Sequence, residues 1–206
     1  MKNLHNKYFK YILQRAFKEP HLILPATIAL LNGYFYKILF FCLRKKVKIG
    51  KLFRVYGSFN LSGCGKVEIG DNCFFTSKIF RKTSLITTTS NAFIKIGNNV
   101  GLSGTVLQCS DRIIIEDWCN IADAYIVDSS AHHLSAKRRD LDNQSVPKES
   151  VHISKNVWIS TNVTICKGVF IGQNSVIGAC SLIRKNIPAN SFYAGIPAQF
   201  IKKIPN

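Results

Sequence analysis

The stretch Val151–Ile187 reads VHISKNVWISTNVTICKGVFIGQNSVIGACSLIRKNI. Taking every sixth residue from Ile153 gives Ile153, Ile159, Ile165, Ile171, Ile177 and Ile183 without a break. Four residues after each stands a second column: Val157, Val163, Val169, Ser175, Ser181 and Ile187. A helix repeats at 3.6 residues and an ordinary strand at 2, so neither has a strict period of six. Short hexapeptide repeats are the pattern of a parallel β-helix, in which each coil of chain stacks on the one before. A run of separate hairpins would carry Asn-Gly or Asp-Gly turns between alternating strands. The stretch has none.

Outward from this core the pattern loosens but persists. Toward the N-terminus come Val47-Lys48-Ile49-Gly50, Val67-Glu68-Ile69-Gly70-Asp71-Asn72, Ile96-Gly97-Asn98-Asn99-Val100 and Ile115-Glu116-Asp117-Trp118-Cys119. The step from Ile69 to Ile96 is longer than a coil of about eighteen residues, which predicts a bulge in the Thr-rich stretch Arg81–Asn91. Between Val127 and Val151 the repeat stops, so residues 128–150 form a long loop. Loops of this length inside a compact repeat are usually functional. The expected division is a helical extension over 1–46, a β-helix over 47–190 and a short tail over 191–206.

The extension has two parts. Residues 1–20 read as a basic, partly amphipathic helix, Leu4, Tyr8, Ile12 and Phe17 alternating with Lys2, Lys7, Lys10, Arg15 and Lys18. Leu22–Leu43 is then mostly apolar and close to the length that spans a bilayer. Pro25, Asn32-Gly33 and Lys37 interrupt it, and Arg44-Lys45-Lys46 follow. A break at Asn32-Gly33 predicts two short helices, about 22–31 and 34–43. Three roles stay open: helices in a membrane interface drawn by anionic lipid, a cap on the solenoid end, or a span, for which Lys37 is costly.

The segment from Val157-Trp158-Ile159 through Ile177-Gly178-Ala179-Cys180-Ser181-Leu182, then Ile187-Pro188-Ala189-Asn190-Ser191 and Ala194-Gly195-Ile196-Pro197-Ala198, resembles the hexapeptide-repeat acyltransferases. Within them it is most similar to the O-acetyltransferases of sugars and surface polysaccharides. The resemblance runs over roughly residues 47–203. It implies a mainly β fold, a left-handed parallel β-helix, which departs from the usual right-handed crossover. It also implies a homotrimer, acetyl-CoA as donor and a saccharide as acceptor.

In those sugar O-acetyltransferases a histidine leaves the coil in a pattern like Asp-x-Asp-x-His-Pro. Here the loop opens Val127-Asp128-Ser129-Ser130-Ala131-His132-His133-Leu134, which places that histidine at His132, with His133 where proline is usual. Ser130 replaces the second acid. A sugar hydroxyl is a poor nucleophile at neutral pH, and an imidazole can take its proton as attack on the thioester begins. Asp128 is a candidate to orient that ring, with turn formation as its other role. By resemblance, Gly178, Ala179 and Gly195 contact the donor through backbone, where a small residue permits close approach. Pro197 and Ala198 shape the adenine end, and Lys202, Lys203, Arg184 and Lys185 are candidates for its phosphates. Cys180 stands where the family often has glycine. On the acceptor side the candidates are His133, Arg138 and Trp158, and Lys137-Arg138-Arg139 suit an anionic acceptor.

Lys plus Arg number 28 against 11 Asp plus Glu, a formal charge of +17. That balance attracts nucleic acid or anionic membrane alike. No helix-turn-helix, finger or aromatic RNA-binding signature accompanies it, so nucleic acid is not expected. Seven cysteines without a CxxC pair read as small hydrophobes in a reducing compartment rather than a disulfide framework. No cleavable secretory signal is legible at the start. The expected location is cytoplasmic, with possible peripheral association with the inner membrane. Beside a non-catalytic assembly scaffold that keeps the fold without the activity, two rival functions are open on the same scaffold. One is an acetyltransferase for a nucleotide-sugar amine, serine or antibiotic. The other is a zinc protein like the gamma-type carbonic anhydrases, which hold zinc through three histidines. The His-x₄-His spacing of that family is missing among His132, His133 and His152, and no metal is expected.

Overall fold

A computed structural model describes residues 18–77, 81–130, 132–141 and 146–205. The chain winds into a three-faced parallel solenoid with one helix across its first end. The first face stacks Val47–Ile49, Lys66–Ile69, Phe93–Ile96, Arg112–Ile115, Val151–Ile153 and Phe170–Ile171. The second runs from Arg54–Tyr56 through Phe74–Thr76, Gly101–Ser103, Asn120–Ala122 and Trp158–Ile159 to Val176–Ile177. The third runs from Phe59–Gly63 through Thr83–Thr87, Val106–Cys109, Tyr125–Val127 and Thr164–Ile165 to Leu182–Ile183. Mainly β, with all faces parallel, the solenoid is the β-helix that the period of six predicts.

Both sequence columns point inward. Ile153, Ile159, Ile165, Ile171, Ile177 and Ile183 are at most 1% exposed. The corner column of Val157, Val163, Val169, Ser175, Ser181 and Ile187 is also buried. From Val67 to Ile183 each face contributes at least one buried apolar residue per coil, and the first face two as far as Ile153, so every coil stacks its side chains on the equivalents above and below.

The corner between the first and second faces shows why asparagine recurs there. Asn72, Asn99, Asn156, Asn174 and Asn190 all adopt positive φ, between 55° and 59°. Asparagine tolerates this left-handed conformation better than most side chains. Their amides also form a ladder, with Nδ2 of Asn72 donating to Asn99 at 2.8 Å, Asn156 to Asn174 at 3.0 Å and Asn174 to Asn190 at 2.8 Å.

The long coil between Ile69 and Ile96 carries extra residues at the corner between Thr87 and Phe93, and its other surplus, between Thr76 and Thr83, falls partly outside the described residues. The register Val67↔Ile94 and Ile69↔Ile96 is kept across them. The strands stay in phase because their inward side chains must stack, and the surplus is expelled at the corners.

At the first end stands α1 (Ile23–Cys42), entered through a 3₁₀ turn at Pro20–Leu22. The expected break at Asn32-Gly33 does not occur. Those two residues instead dock the helix. A Cβ on Gly33 would sit 1.9 Å from the carbonyl oxygen of Phe53, and Asn32 Nδ2 donates to the Val55 carbonyl at 3.2 Å. Ala29, Gly33 and Phe40 are buried on one stripe of α1. The Tyr36 hydroxyl accepts the Phe59 N–H at 2.9 Å. Tyr36 and Phe40 close an aromatic cluster with Phe53, Phe59 and Phe75. Of the three roles open for this segment, the cap is realised on this stripe. The helix expected over 1–20 lies, as far as residue 17, outside the described residues.

At the other end the segment after Asn190 forms an antiparallel hairpin, Ser191–Gly195 with Ala198–Lys203. Its first strand pairs in parallel with Val176–Ile177 and so extends the second face by one strand.

Candidate active site

The loop 128–150 springs from the edge between the third and first faces, and a narrow neck closes it. Ser129 bridges Lys148, the Ser130 N–H donates to the Pro147 carbonyl at 3.2 Å, and the Glu149 N–H donates to the Asp128 carbonyl at 2.8 Å. Ser110 Oγ donates to Ser129 Oγ at 2.9 Å, and Ser150 Oγ to Asp111 at 3.1 Å. These bonds tie both strands of the neck to the coil below.

Asp128 is fully buried at its root. Its Oδ1 accepts the Ser110 N–H at 2.7 Å. Its Oδ2 accepts the Asp111 and Arg112 N–H groups, both at 2.7 Å, and the Cys109 thiol at 3.3 Å. A carboxylate offers about four lone-pair sites, and four donors approach these. Asp128, a candidate to orient an imidazole, is therefore placed as the clamp that organises the corner from which the loop departs.

His132 is exposed a few residues beyond the neck, its N–H donating to the Ser130 carbonyl at 2.7 Å. His133 is half-buried beside it. Arg138 begins a short helix, α2 (Arg138–Leu141), and is exposed. Along the same edge the next two coils turn at Lys167 and at Arg184-Lys185. Lys167 pairs with Glu149 of the neck, while Arg184 and Lys185 are exposed. The loop and these cationic turns thus leave the solenoid along one edge.

Of the predicted donor residues, Arg184 and Lys185 thus stand at the loop edge, whereas Gly178, Ala179 and Gly195 gather at a different edge, between the second and third faces. Ser181 Oγ donates to the Gly178 carbonyl at 2.7 Å and accepts the Gly195 N–H at 3.1 Å, binding the two glycines into one turn. A Cβ on Gly178 would meet Ala194 Cβ at 2.8 Å and the Phe192 ring at 3.2 Å. Ala179 and Cys180 follow, exposed. Cys180 adopts φ 55°, the conformation that explains a preference for glycine there. Pro197 lies in the turn of the C-terminal hairpin. Lys202 pairs opposite Phe192, three residues along the hairpin from Gly195. Trp158, 55% exposed, projects from the second face between Asn120 and Val176.

Two features escaped sequence reasoning. Ser181 falls in the repeat as an ordinary corner residue, and only the fold brings Gly195 onto it. His152 Nε2 lies 2.7 Å from Glu116 Oε1, and Glu116 Oε2 accepts the Lys155 N–H at 2.9 Å. This imidazole–carboxylate pair stands on the first face, on the strand that the loop feeds. The two residues are 36 apart in sequence, and only the stacking of neighbouring coils joins them.

Burial pushes the Cys73 thiol up to about 11 and Cys119 up to about 12. Cys109 is pushed higher still, by burial and then by the charge of Asp128. Thiolate is the reactive form. Native protein treated with iodoacetamide at mildly alkaline pH should therefore alkylate the exposed Cys42, Cys64 and Cys180 and spare Cys73, Cys109 and Cys119. Peptide mass spectrometry reads the result. Labelling of Cys109 as fast as Cys64 contradicts a closed neck.

Residues 150–185 match the family model described as bacterial transferase hexapeptide (six repeats). The chain is 31% identical over 137 residues to a galactoside O-acetyltransferase of Lactococcus lactis, covering 66% of this chain and 63% of that one. It is 28% identical over 176 residues to an Escherichia coli protein, WbbJ, named for lipopolysaccharide biosynthesis O-acetyl transfer, covering 68% of this chain and 89% of that one. Residues 150–185 thus belong with the hexapeptide-repeat transferases. The first curated relatives that it matches are longer, and it spans 56% and 63% of their length. A galactoside acetyltransferase solved in complex with coenzyme A shares the fold, with a TM-score of 0.54, 24% identity, and coverage of 78% of this chain and 66% of that one.

Proposed function

We propose that this protein is an acetyl-CoA-dependent O-acetyltransferase. It esterifies a hydroxyl of a surface polysaccharide or of its sugar precursor, at the cytoplasmic side of the membrane. The observation that supports the proposal is the cinched loop, whose buried root Asp128 organises the neck that His132 follows, on the edge where Arg184 and Lys185 also turn. The names of the lactococcal and Escherichia coli relatives support the reaction class and a saccharide acceptor.

In this reading His132 removes the acceptor hydroxyl proton as the oxygen attacks the thioester carbonyl carbon. The new C–O bond forms, the C–S bond breaks, and the imidazolium returns the proton to the departing thiolate. The products are an O-acetyl ester and free CoA. Such base catalysis contributes roughly 10²–10⁴-fold. His133 and Arg138 hold the acceptor, and Trp158 offers it an exposed ring. The Gly178–Ala179 turn with Gly195 receives the pantetheine along its backbone. Arg184, Lys185 and Lys202 meet the phosphates.

The loop edge and the Gly178 edge lie on opposite sides of the third face of one chain. A homotrimer resolves this separation, since a neighbour can set its Gly178 edge against the loop of the next protomer. His132 then serves a thioester held between subunits.

The deciding experiment offers labelled acetyl-CoA with polysaccharide from the source cell, free sugars and small amines, and maps the product. Acetyl ester on a saccharide hydroxyl is expected. Transfer to an amine alone would replace this reading with the N-acetyltransferase one. A second reading, favoured by the Glu116–His152 contact, makes His152 the base of the same reaction.

A further inference from the structure

We propose that the outer face of α1 seats the protein on an anionic lipid surface, with the solenoid end toward the bilayer. The helix has two opposed stripes. One, through Ala29, Gly33, Tyr36 and Phe40, is docked on the first coil. The other, through Leu24, Leu31, Phe35 and Ile38, is 67%, 63%, 58% and 65% exposed, with Phe41 at 84% beside it. Large contiguous apolar patches on soluble proteins mark interaction sites.

The charge beside this stripe identifies the partner. Arg44, Lys45, Lys46, Lys48 and Lys51 follow the helix directly, and Glu19 is the only acid between residues 18 and 51. At the helix C-terminus a groove is lined by Lys37, Phe41, Arg44, Lys45 and Val47, apolar and cationic side chains together. An apolar stripe flanked by cations matches the boundary between acyl chains and anionic headgroups. A second copy of this chain fits the face less well, because helix-to-helix contact would bring two basic clusters together. A transmembrane path conflicts with the docked stripe, since inserting α1 would drag the first coil into hydrocarbon.

Seated this way, the protein holds its loop at a defined height. The loop leaves after the fourth coil, three inter-strand steps above the first, or about 14 Å at the usual strand spacing. That height suits an acceptor tethered to lipid, a point that depends on the proposed acetyl transfer. The seating itself does not.

Sedimentation of the full chain with vesicles tests the inference. Vesicles of phosphatidylcholine mixed with phosphatidylglycerol should retain the protein at least about tenfold better than phosphatidylcholine alone, and salt should weaken the binding. The combined variant Leu31→Asn/Phe35→Asn/Ile38→Asn should lose about tenfold or more in binding to the mixed vesicles, with circular dichroism and melting unchanged. Arg44→Gln/Lys45→Gln/Lys46→Gln should erase the preference for phosphatidylglycerol. Wild type that ignores mixed vesicles at low salt overturns the inference, as does an apolar-face variant that binds like wild type. An assembly in lipid-free solution that only the apolar-face variant fails to form also overturns it, by assigning the stripe to a second copy.

Discussion

Replacing His132 with alanine should lower the rate of acetyl transfer by roughly 10²–10⁴-fold, the range that one general base supplies. CoA affinity and oligomeric mass should remain those of the wild type. The expectation follows from placement. His132 is exposed just past the neck and lies outside the buried core, so truncating its ring leaves the packing of the solenoid in place. The separation of effects matters: kcat should fall while the dissociation constant for CoA, measured calorimetrically, stays put. His133→Ala, one position along and half-buried, should mainly raise KM for the acceptor. His152→Ala tests the Glu116 pair directly. A His132→Ala protein that turns over at the wild-type rate, beside an inactive His152→Ala protein, would move the base to the first face.

The solenoid was legible because its information is local. Six isoleucines from Ile153 to Ile183 and their corner partners repeat within one window, and each coil needs only its neighbours to bury them. The loop 128–150 was legible as an interruption of that repeat. What sequence alone concealed depends on stacking between coils or on packing at the ends. Asn32-Gly33 carries helix-breaking residues, yet the helix runs through them, because a missing Cβ at Gly33 is what lets it approach the Phe53 carbonyl. Propensity yields to tertiary packing at such a position. The Glu116–His152 contact and the Ser181 bridge between Gly178 and Gly195 likewise join residues from different coils. Asp128 illustrates the limit most clearly. Its sequence neighbourhood suggests a partner four residues ahead, while its observed partners lie 16 to 19 residues behind, in the coil beneath.

Asp128→Ala should be the most destabilising single substitution near the loop. Three backbone N–H groups of Ser110, Asp111 and Arg112 point at this carboxylate at 2.7 Å, and the residue is fully buried. Alanine leaves those donors without their acceptor where water enters only by opening the neck. A buried donor left unpaired costs about 1–3 kcal/mol, and bonds to a charged acceptor lie at the upper end. The three losses share one site and do not add fully, so a net loss of about 3–5 kcal/mol is expected. With a urea m-value of about 2–3 kcal/mol/M, the unfolding midpoint should fall by roughly 1–2 M. Asp128→Asn retains one oxygen and should fall between. The same substitution should reduce kcat even where the protein stays folded, because Ser110 and Asp111 also hold Ser129 and Ser150 of the neck. It should also make the Cys109 thiol accessible to iodoacetamide. Had Asp128 acted solely by orienting the imidazole, Asp128→Ala would keep the wild-type midpoint and leave Cys109 protected while activity fell. Coincident loss of midpoint, thiol protection and turnover is the signature of a clamp, and it distinguishes support of the catalytic loop from direct participation in the chemistry.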